Sequence, residues 1–290
     1  MIWLIGNKGM LGTELSLMLD EKKIFFIGTD READITNISA LEEFTKNHAI
    51  KWIINCAAYT AVDKAEDNKD FCRILNETGA MNIGKIAKEI NAKVIHVSTD
   101  YVFNGRGTSP YTEEKETDPI GVYGITKRDG ETKLIQENEK SFIIRTAWLY
   151  GEHGSNFLKT MLRLMKEKES ISVVNDQKGS PTWANDLAQV IIEFIKQVNE
   201  DKTVPYGIYN YTNEGEITWF NFAKEIYKQA REQGILTKDC EVKPCTSAEF
   251  PAKVTRPAYS VLDKTKIKAT LGINIPVWNE SLRNVIGKLA

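Results

Sequence analysis

A basic surplus is missing from this chain of 290 residues: 38 Lys and Arg stand against 40 Asp and Glu, a formal net charge of −2. Nothing is left over to neutralise a nucleic-acid backbone, and the few basic clusters are interrupted by acids. Long apolar runs are missing too; the longest is about six residues, against the ~20 that cross a bilayer. The N-terminal Met1-Ile2-Trp3-Leu4-Ile5-Gly6 has no basic residues ahead of it and is too short for a secretory signal, so it reads as a strand that starts at once. A cytoplasmic location without membrane or nucleic-acid partners is expected. Cysteine is scarce, and Cys56, Cys72, Cys240 and Cys245 include no C-x-x-C pair. Cys240 and Cys245 are near enough in sequence to bridge, but the lack of a signal argues against it. His48, His96 and His153 are scattered, and no metal is expected. Repeats and low-complexity segments are absent. What remains, 42% hydrophobic and 27% charged residues, is the composition of a globular protein.

The first 150 residues alternate short β-rich runs with helical periodicity, the pattern of a parallel sheet with crossover helices. Strands are expected at Ile2–Ile5, Ile24–Ile27, Trp52–Asn55, Val94–Ser98 and Phe142–Arg145, with a helix from about Tyr123 to Asn138 before the last. The runs are continuously apolar, as in sheets buried on both faces. Beyond residue 150 the pattern loosens. Leu187, Val190, Ile191, Phe194, Ile195 and Val198 mark an amphipathic helix, Gly207–Tyr211 a strand, and Thr218 the cap of a helix closed by Gly234. Five of the eight prolines lie past residue 200. The expected fold is α/β: a Rossmann-type doubly wound parallel sheet over 1–150 and a smaller, mainly substrate-binding lobe over 151–290. That boundary is approximate, and the chain is free to cross between lobes.

Gly6, Gly9 and Gly12 fall between the first strand and the first helix. Glycines there permit a tight turn, let a pyrophosphate approach the backbone, and present it to a helix N-terminus. Gly6, Gly9, Met10, Leu11 and Gly12 are therefore expected to hold a dinucleotide. The spacing is G-x-x-G-x-x-G, not the G-x-G-x-x-G of many dehydrogenases. Asp30, at the end of the second strand, is placed to bind both ribose hydroxyls of NAD, or is a solvated turn residue. Arg31 beside it suits the 2′-phosphate of NADP, so NADH and NADPH both stay open. Asp34 and Ile35 border the adenine or simply enter the next helix. Asn55-Cys56-Ala57-Ala58 ends the third strand in small residues that leave room for a ligand, with Tyr59 and Thr60 at the same rim.

Ser98-Thr99-Asp100 ends the fourth strand, and Tyr123 and Lys127 open the next helix at i and i+4, on one face. An ammonium nearby favours phenolate and lowers a tyrosine pKa from ~10. Thr99, Tyr123 and Lys127 together can polarise and protonate a carbonyl that receives a hydride.

These residues resemble the extended short-chain dehydrogenase/reductase family. More narrowly, Ala57 to Glu66, Ser98 to Phe103, Arg145 to Gly151, Asn156-Phe157 and Asp176 to Thr182 are similar to the dTDP-4-dehydrorhamnose reductases, and the likeness covers nearly the whole chain. The resemblance implies reduction of the 4-keto group of dTDP-4-dehydro-L-rhamnose by NADH or NADPH, the last step of dTDP-L-rhamnose synthesis. It implies Tyr123 as proton donor, Lys127 on the nicotinamide ribose, Thr99 and Asp100 at the sugar, and Trp148 packed upon it. An indole face suits a 6-deoxy sugar, although a plain core Trp is the alternative. Asn156, Gln177 and Arg256 are expected near the ligand, Arg256 as a fork donor to the diphosphate or else a surface arginine. Ser247 and Thr255 are lesser polar candidates. Ala147 stands where several relatives carry Ser.

Two other readings compete. An epimerase or dehydratase of the same superfamily is one, although Thr99-Asp100 is followed by Tyr101 and not by a second acid. A non-catalytic regulatory subunit, as some relatives are for methionine adenosyltransferase, is the other; the complete Thr99, Tyr123 and Lys127 set argues against it. Monomer and homodimer are both open.

Overall fold

Six strands form one sheet: β1 (Ile2–Ile5), β2 (Phe26–Thr29), β3 (Trp52–Asn55), β4 (Lys93–Thr99), β5 (Ser141–Thr146) and β6 (Gly207–Asn210). Their order is β6-β5-β4-β3-β1-β2 and every pairing is parallel. The order reverses beside β1, so the crossovers leave to opposite faces there and a crevice opens at the carboxyl ends of β1 and β3. The computed structural model describes residues 1–250 and 252–290.

The longer helices that cover the sheet and build the second unit are α1 (Met10–Glu21), α2 (Ile38–Lys46), α3 (Gly79–Glu89), α4 (Val122–Glu137), α5 (Phe157–Glu167), α6 (Ala184–Asn199), α7 (Trp219–Glu232) and α8 (Trp278–Leu289). Successive strand residues feed opposite cores. Ile2, Leu4, Trp52 and Ile54 pack with α1 and α6, whereas Trp3, Ile5 and Ile53 pack with α2, α3 and α4. That double burial is why these strands read as unbroken apolar runs. Each buried side chain contributes roughly 1.5–3 kcal/mol over exposure. Trp3 adds a bond from Nε1 to Thr29 Oγ1 at 2.8 Å, so its one donor is satisfied inside.

The second strand lies two residues later than expected. Lys23 takes φ 54° and the Ile24 N–H still caps α1 on Leu19 O, so pairing with Ile2 begins only at Phe26. Helix α4 starts one residue early and ends one early. The larger difference concerns residues 184–210. Helix α6 packs on α1, and β6 extends the main sheet beside β5, so the chain crosses back after first leaving. The remaining second unit gathers Tyr150, Leu158, Phe222, Ile226, Leu282 and Ile286 among α5, α7 and α8. Thr218 caps α7 by accepting from Asn221 N. All four cysteines are free, Cys240 and Cys245 included. Among the described residues no helix is long and apolar enough to cross a membrane.

Candidate active site

The turn from β1 into α1 is tight because Gly6 sits at φ 77° and its N–H and that of Asn7 both donate to Thr29 O. A Cβ on Gly12 would lie 2.1 Å from Gly6 O, so the helix starts closer to the turn than any side chain allows. Gly9 caps α1 with no side chain over the helix end and no acid in the first turn. The first-turn N–H groups, those of Met10, Leu11 and Gly12, are thus free to meet an anion. Asn7 Oδ1 is buried without a partner beside them. A dinucleotide fits this cradle. Asp30 is half-buried at the end of β2 and Arg31 exposed. Asp34 is exposed and ties its own turn by accepting from the N–H and hydroxyl of Thr36. Ile35 is a core residue packed against Gly79.

At the end of β3, a Cβ on Gly6 would meet Ala57 N at 2.8 Å, so turn and strand end touch. Ala57 N–H donates to Asn55 Oδ1 at 3.0 Å. The rim beyond is held by Asn76, whose Oδ1 accepts from Tyr59 N and whose Nδ2 donates to Tyr59 O. Asn76 belongs to a π-helical turn, Ile74–Thr78, directly before α3. Such turns carry one residue more than the α repeat and re-aim a side chain. Cys56 at this rim stays a thiol, since burial pushes it up to about 12.

Across the crevice, β4 delivers Ser98, Thr99 and Asp100, all buried. Thr99 Oγ1 accepts from Tyr101 N and donates to Asp100 Oδ1 at 3.0 Å. Burial pushes the Asp100 carboxyl up to about 6, against the Thr99 hydrogen bond. Ser98 Oγ and Asp100 Oδ2 are buried without partners. Helix α4 brings Tyr123 and Lys127, both buried, onto the same crevice. The Tyr123 phenol is raised above its ordinary range by burial, with Thr99 opposing. The sequence had predicted the reverse direction. Burial outweighs any help from the lysine one turn on, whose Nζ is engaged with Val97 O at 2.7 Å and His96 Nε2 at 3.1 Å. Burial lowers Lys127 to about 8.

The expected substrate residues divide. Gln177 and Arg256, with Ser247 and Thr255, line a cavity of about 640 Å³ that also takes in Phe157 and Trp219. Trp148 lies apart from that lining, at φ 49°, stacked on Trp219 at 3.5 Å, with Gly179 against its Nε1 edge. Asn156 is spent on the backbone. Its Oδ1 caps α5 through Lys159 N and its Nδ2 donates to Gly151 O. The sequence places Asn55 at a strand end and Asp63 in a family-like stretch, but the pairings Asn55–His96 and Asp63–Arg256 carry no local signal, because the partners lie far apart in sequence.

Comparison with known proteins agrees with this geometry. The family model for the RmlD substrate binding domain matches residues 1–290. A dTDP-4-dehydrorhamnose reductase of Aggregatibacter actinomycetemcomitans is 39% identical over 282 residues, 97% of this chain and 96% of that protein. The crystal structure of a dTDP-4-dehydrorhamnose reductase of Clostridium acetobutylicum superposes with a TM-score of 0.92 at 40% identity, over 99% of both chains. That of Bacillus anthracis, in complex with NADP, also reaches 0.92 at 37% identity, over 99% of this chain and 98% of the other. With a model matched from end to end and relatives of this closeness, the chain belongs to the dTDP-4-dehydrorhamnose reductases, oxidoreductases that use NAD(P)H.

Proposed function

We propose that the chain reduces the 4-keto group of dTDP-4-dehydro-L-rhamnose to dTDP-L-rhamnose, with Tyr123 as the proton donor. One observation carries the assignment of residues: an unbroken run of contacts from Gly6 through Ala57, Asn55 and His96 to Lys127. It supports a single crevice that holds cofactor and carbonyl together. A nicotinamide cofactor, NADH or NADPH, supplies hydride there.

The chain's own work is to bind and to move a proton. Gly6, Gly9, Met10, Leu11 and Gly12 offer backbone N–H groups to the diphosphate, and Asp30 faces the adenosine ribose. Ala57, Ala58 and Tyr59 wall the nicotinamide side, and Lys127 holds its ribose. As the keto oxygen gains negative charge, Thr99 turns its hydroxyl from Asp100 to that oxygen, and the Tyr123 O–H breaks to protonate it. Asp100 and Trp148 flank the sugar, and Gln177 and Arg256 the nucleotide side. Asn156 shapes the wall by holding residues 151–153. The even balance of charge supports a small-molecule substrate with no nucleic-acid partner. A cytoplasmic monomer or homodimer completes the proposal.

The purified chain, mixed with dTDP-4-dehydro-L-rhamnose and NADPH or NADH, is expected to oxidise the cofactor and yield dTDP-L-rhamnose in equal amounts. Sugar epimerised without net oxidation would replace this reading by an epimerase. Binding of both ligands without turnover would make the chain a binding subunit.

A further inference from the structure

His96 enters none of these roles, although its ring lies between two residues that do. Nδ1 is 2.9 Å from Asn55 Nδ2, and Nε2 is 3.1 Å from Lys127 Nζ. All three side chains are almost wholly buried. Each contact in this chain needs one proton, and the supply can be counted. Ala57 N–H donates to Asn55 Oδ1, which leaves only the NH2 of that amide to face His96. An amide nitrogen donates and does not accept, so Nδ1 must be the bare ring nitrogen. Burial, and next the charge of Lys127, hold His96 well below its ordinary range, so the ring is neutral. Its single proton therefore sits on Nε2 and points at Nζ. An amine accepts that proton. An ammonium has no lone pair and meets it N–H against N–H.

We propose that His96 is a positioning residue for Lys127: held as the Nε2–H tautomer by Asn55, it makes the lysine a titrating group instead of a permanent cation. The proposal rests on the assignment of Lys127 to the reductive site. Other groups face Nζ from the surrounding elements. Cys56 comes from the end of β3, Cys72 from the short helix Lys69–Arg73, and Glu131 from the next turn of α4, its carboxylate already paired with Arg145. The Val97 carbonyl accepts one Nζ proton. Burial is the main cause of the fall to about 8, with Glu131 the strongest opposing group. The His96 donor acts in the same direction as burial. Lys127 is therefore a cation at neutral pH and loses that charge within reach of mildly alkaline solution.

The first test needs neither substrate nor cofactor. In protein with 15N-labelled histidine, held at about pH 9 where the lysine is an amine, His96 Nε2 is expected to resonate as the protonated nitrogen and Nδ1 as the bare one. The opposite tautomer overturns the proposal, whatever the enzyme turns over. The second test is His96→Gln, whose amide can turn its oxygen to Nζ and give the ammonium an acceptor. The alkaline weakening of NADPH affinity, read as Kd against pH, should move up by about one pH unit, with affinity near pH 6 within threefold of the parent. An unmoved alkaline limb overturns the proposal as well. If His96→Gln fails to fold, the tautomer of the unaltered protein decides.

Discussion

Arg256 of the second unit reaches across the crevice to Asp63, Nη2 to Oδ2 at 2.7 Å, while its Nη1 donates to the Tyr101 hydroxyl at 3.2 Å. The Tyr101 ring in turn meets Tyr123 edge-on, with centroids 5.5 Å apart. A guanidinium proposed for the diphosphate is thus held by an acid from the other side of the crevice. Both partners are partly exposed, so the pair itself adds little stability.

Arg256→Ala should raise KM for the sugar nucleotide by about tenfold while cofactor Kd stays within twofold, the signature of lost substrate binding. Steady-state kinetics and cofactor titration check both numbers. An equal loss of cofactor affinity would move Arg256 to another role.

Tyr123→Phe keeps the ring and removes the acid. Substrate and cofactor binding should survive while kcat falls by about 10²–10⁴. Lys127→Ala should lower kcat and weaken cofactor binding together, and the double variant should lose far less than the product of the two. Near-parental kcat in Tyr123→Phe, with hydride transfer shown rate-limiting by an isotope effect, would sink the mechanism.

Asp30→Ala should shift the cofactor preference ratio toward NADPH, because a carboxylate at the ribose repels a 2′-phosphate that Arg31 attracts. The ratio of kcat/KM for the two cofactors measures it. No change in that ratio means Asp30 does not face the ribose.

Glu131 and Arg145 form a two-bonded pair, Oε1 to Nε at 3.0 Å and Oε2 to Nη2 at 2.7 Å, each side chain 3% exposed. Glu131→Ala leaves a buried cation alone and should cost about 3–5 kcal/mol in urea unfolding. A loss under about 1 kcal/mol would mean that water reaches Arg145.

Asp100 keeps its proton to about pH 6 in the folded chain, against an ordinary 3.8. Between those values the folded chain binds more protons than the unfolded one, so this group's contribution to stability falls as pH rises. By pH 7 the loss is complete, roughly 3 kcal/mol by linkage. Asp100→Asn should remove that slope, gaining on the parent between pH 4 and 7 in parallel denaturant titrations. Parallel curves for the two proteins would contradict it.

Much of the sheet was legible because β1, β3, β4 and β5 are buried on both faces and so write their burial into adjacent residues. The partner of β6 was not, since Gly207–Asn210 carries a strand signal and no address; only packing of α6 on α1 brings it to β5. Tyr123 and Lys127 were visible through helical spacing. Asn55 and His96 are 41 residues apart, and Arg256 and Asp63 193 apart, so no local pattern announces either pair. Asn156 carried a local signal of another kind: an Asn directly before an apolar helical run is a capping residue.

The π-helical turn at Ile74–Thr78 gives the helix one surplus residue, and Asn76 sits within it. Deleting a single residue there would restore the ordinary repeat, with the flanking helical stretches still in phase, and would close the widened turn that aims Asn76. α3 has no freedom to rotate, since Ile83, Ile86 and Ala87 are locked in the core. The change would fall on the widened turn itself and carry Asn76 away from Tyr59. The rim of the crevice thus depends on residue count as much as residue identity, and a one-residue shortening of that helix would undo what no substitution at its surface reaches.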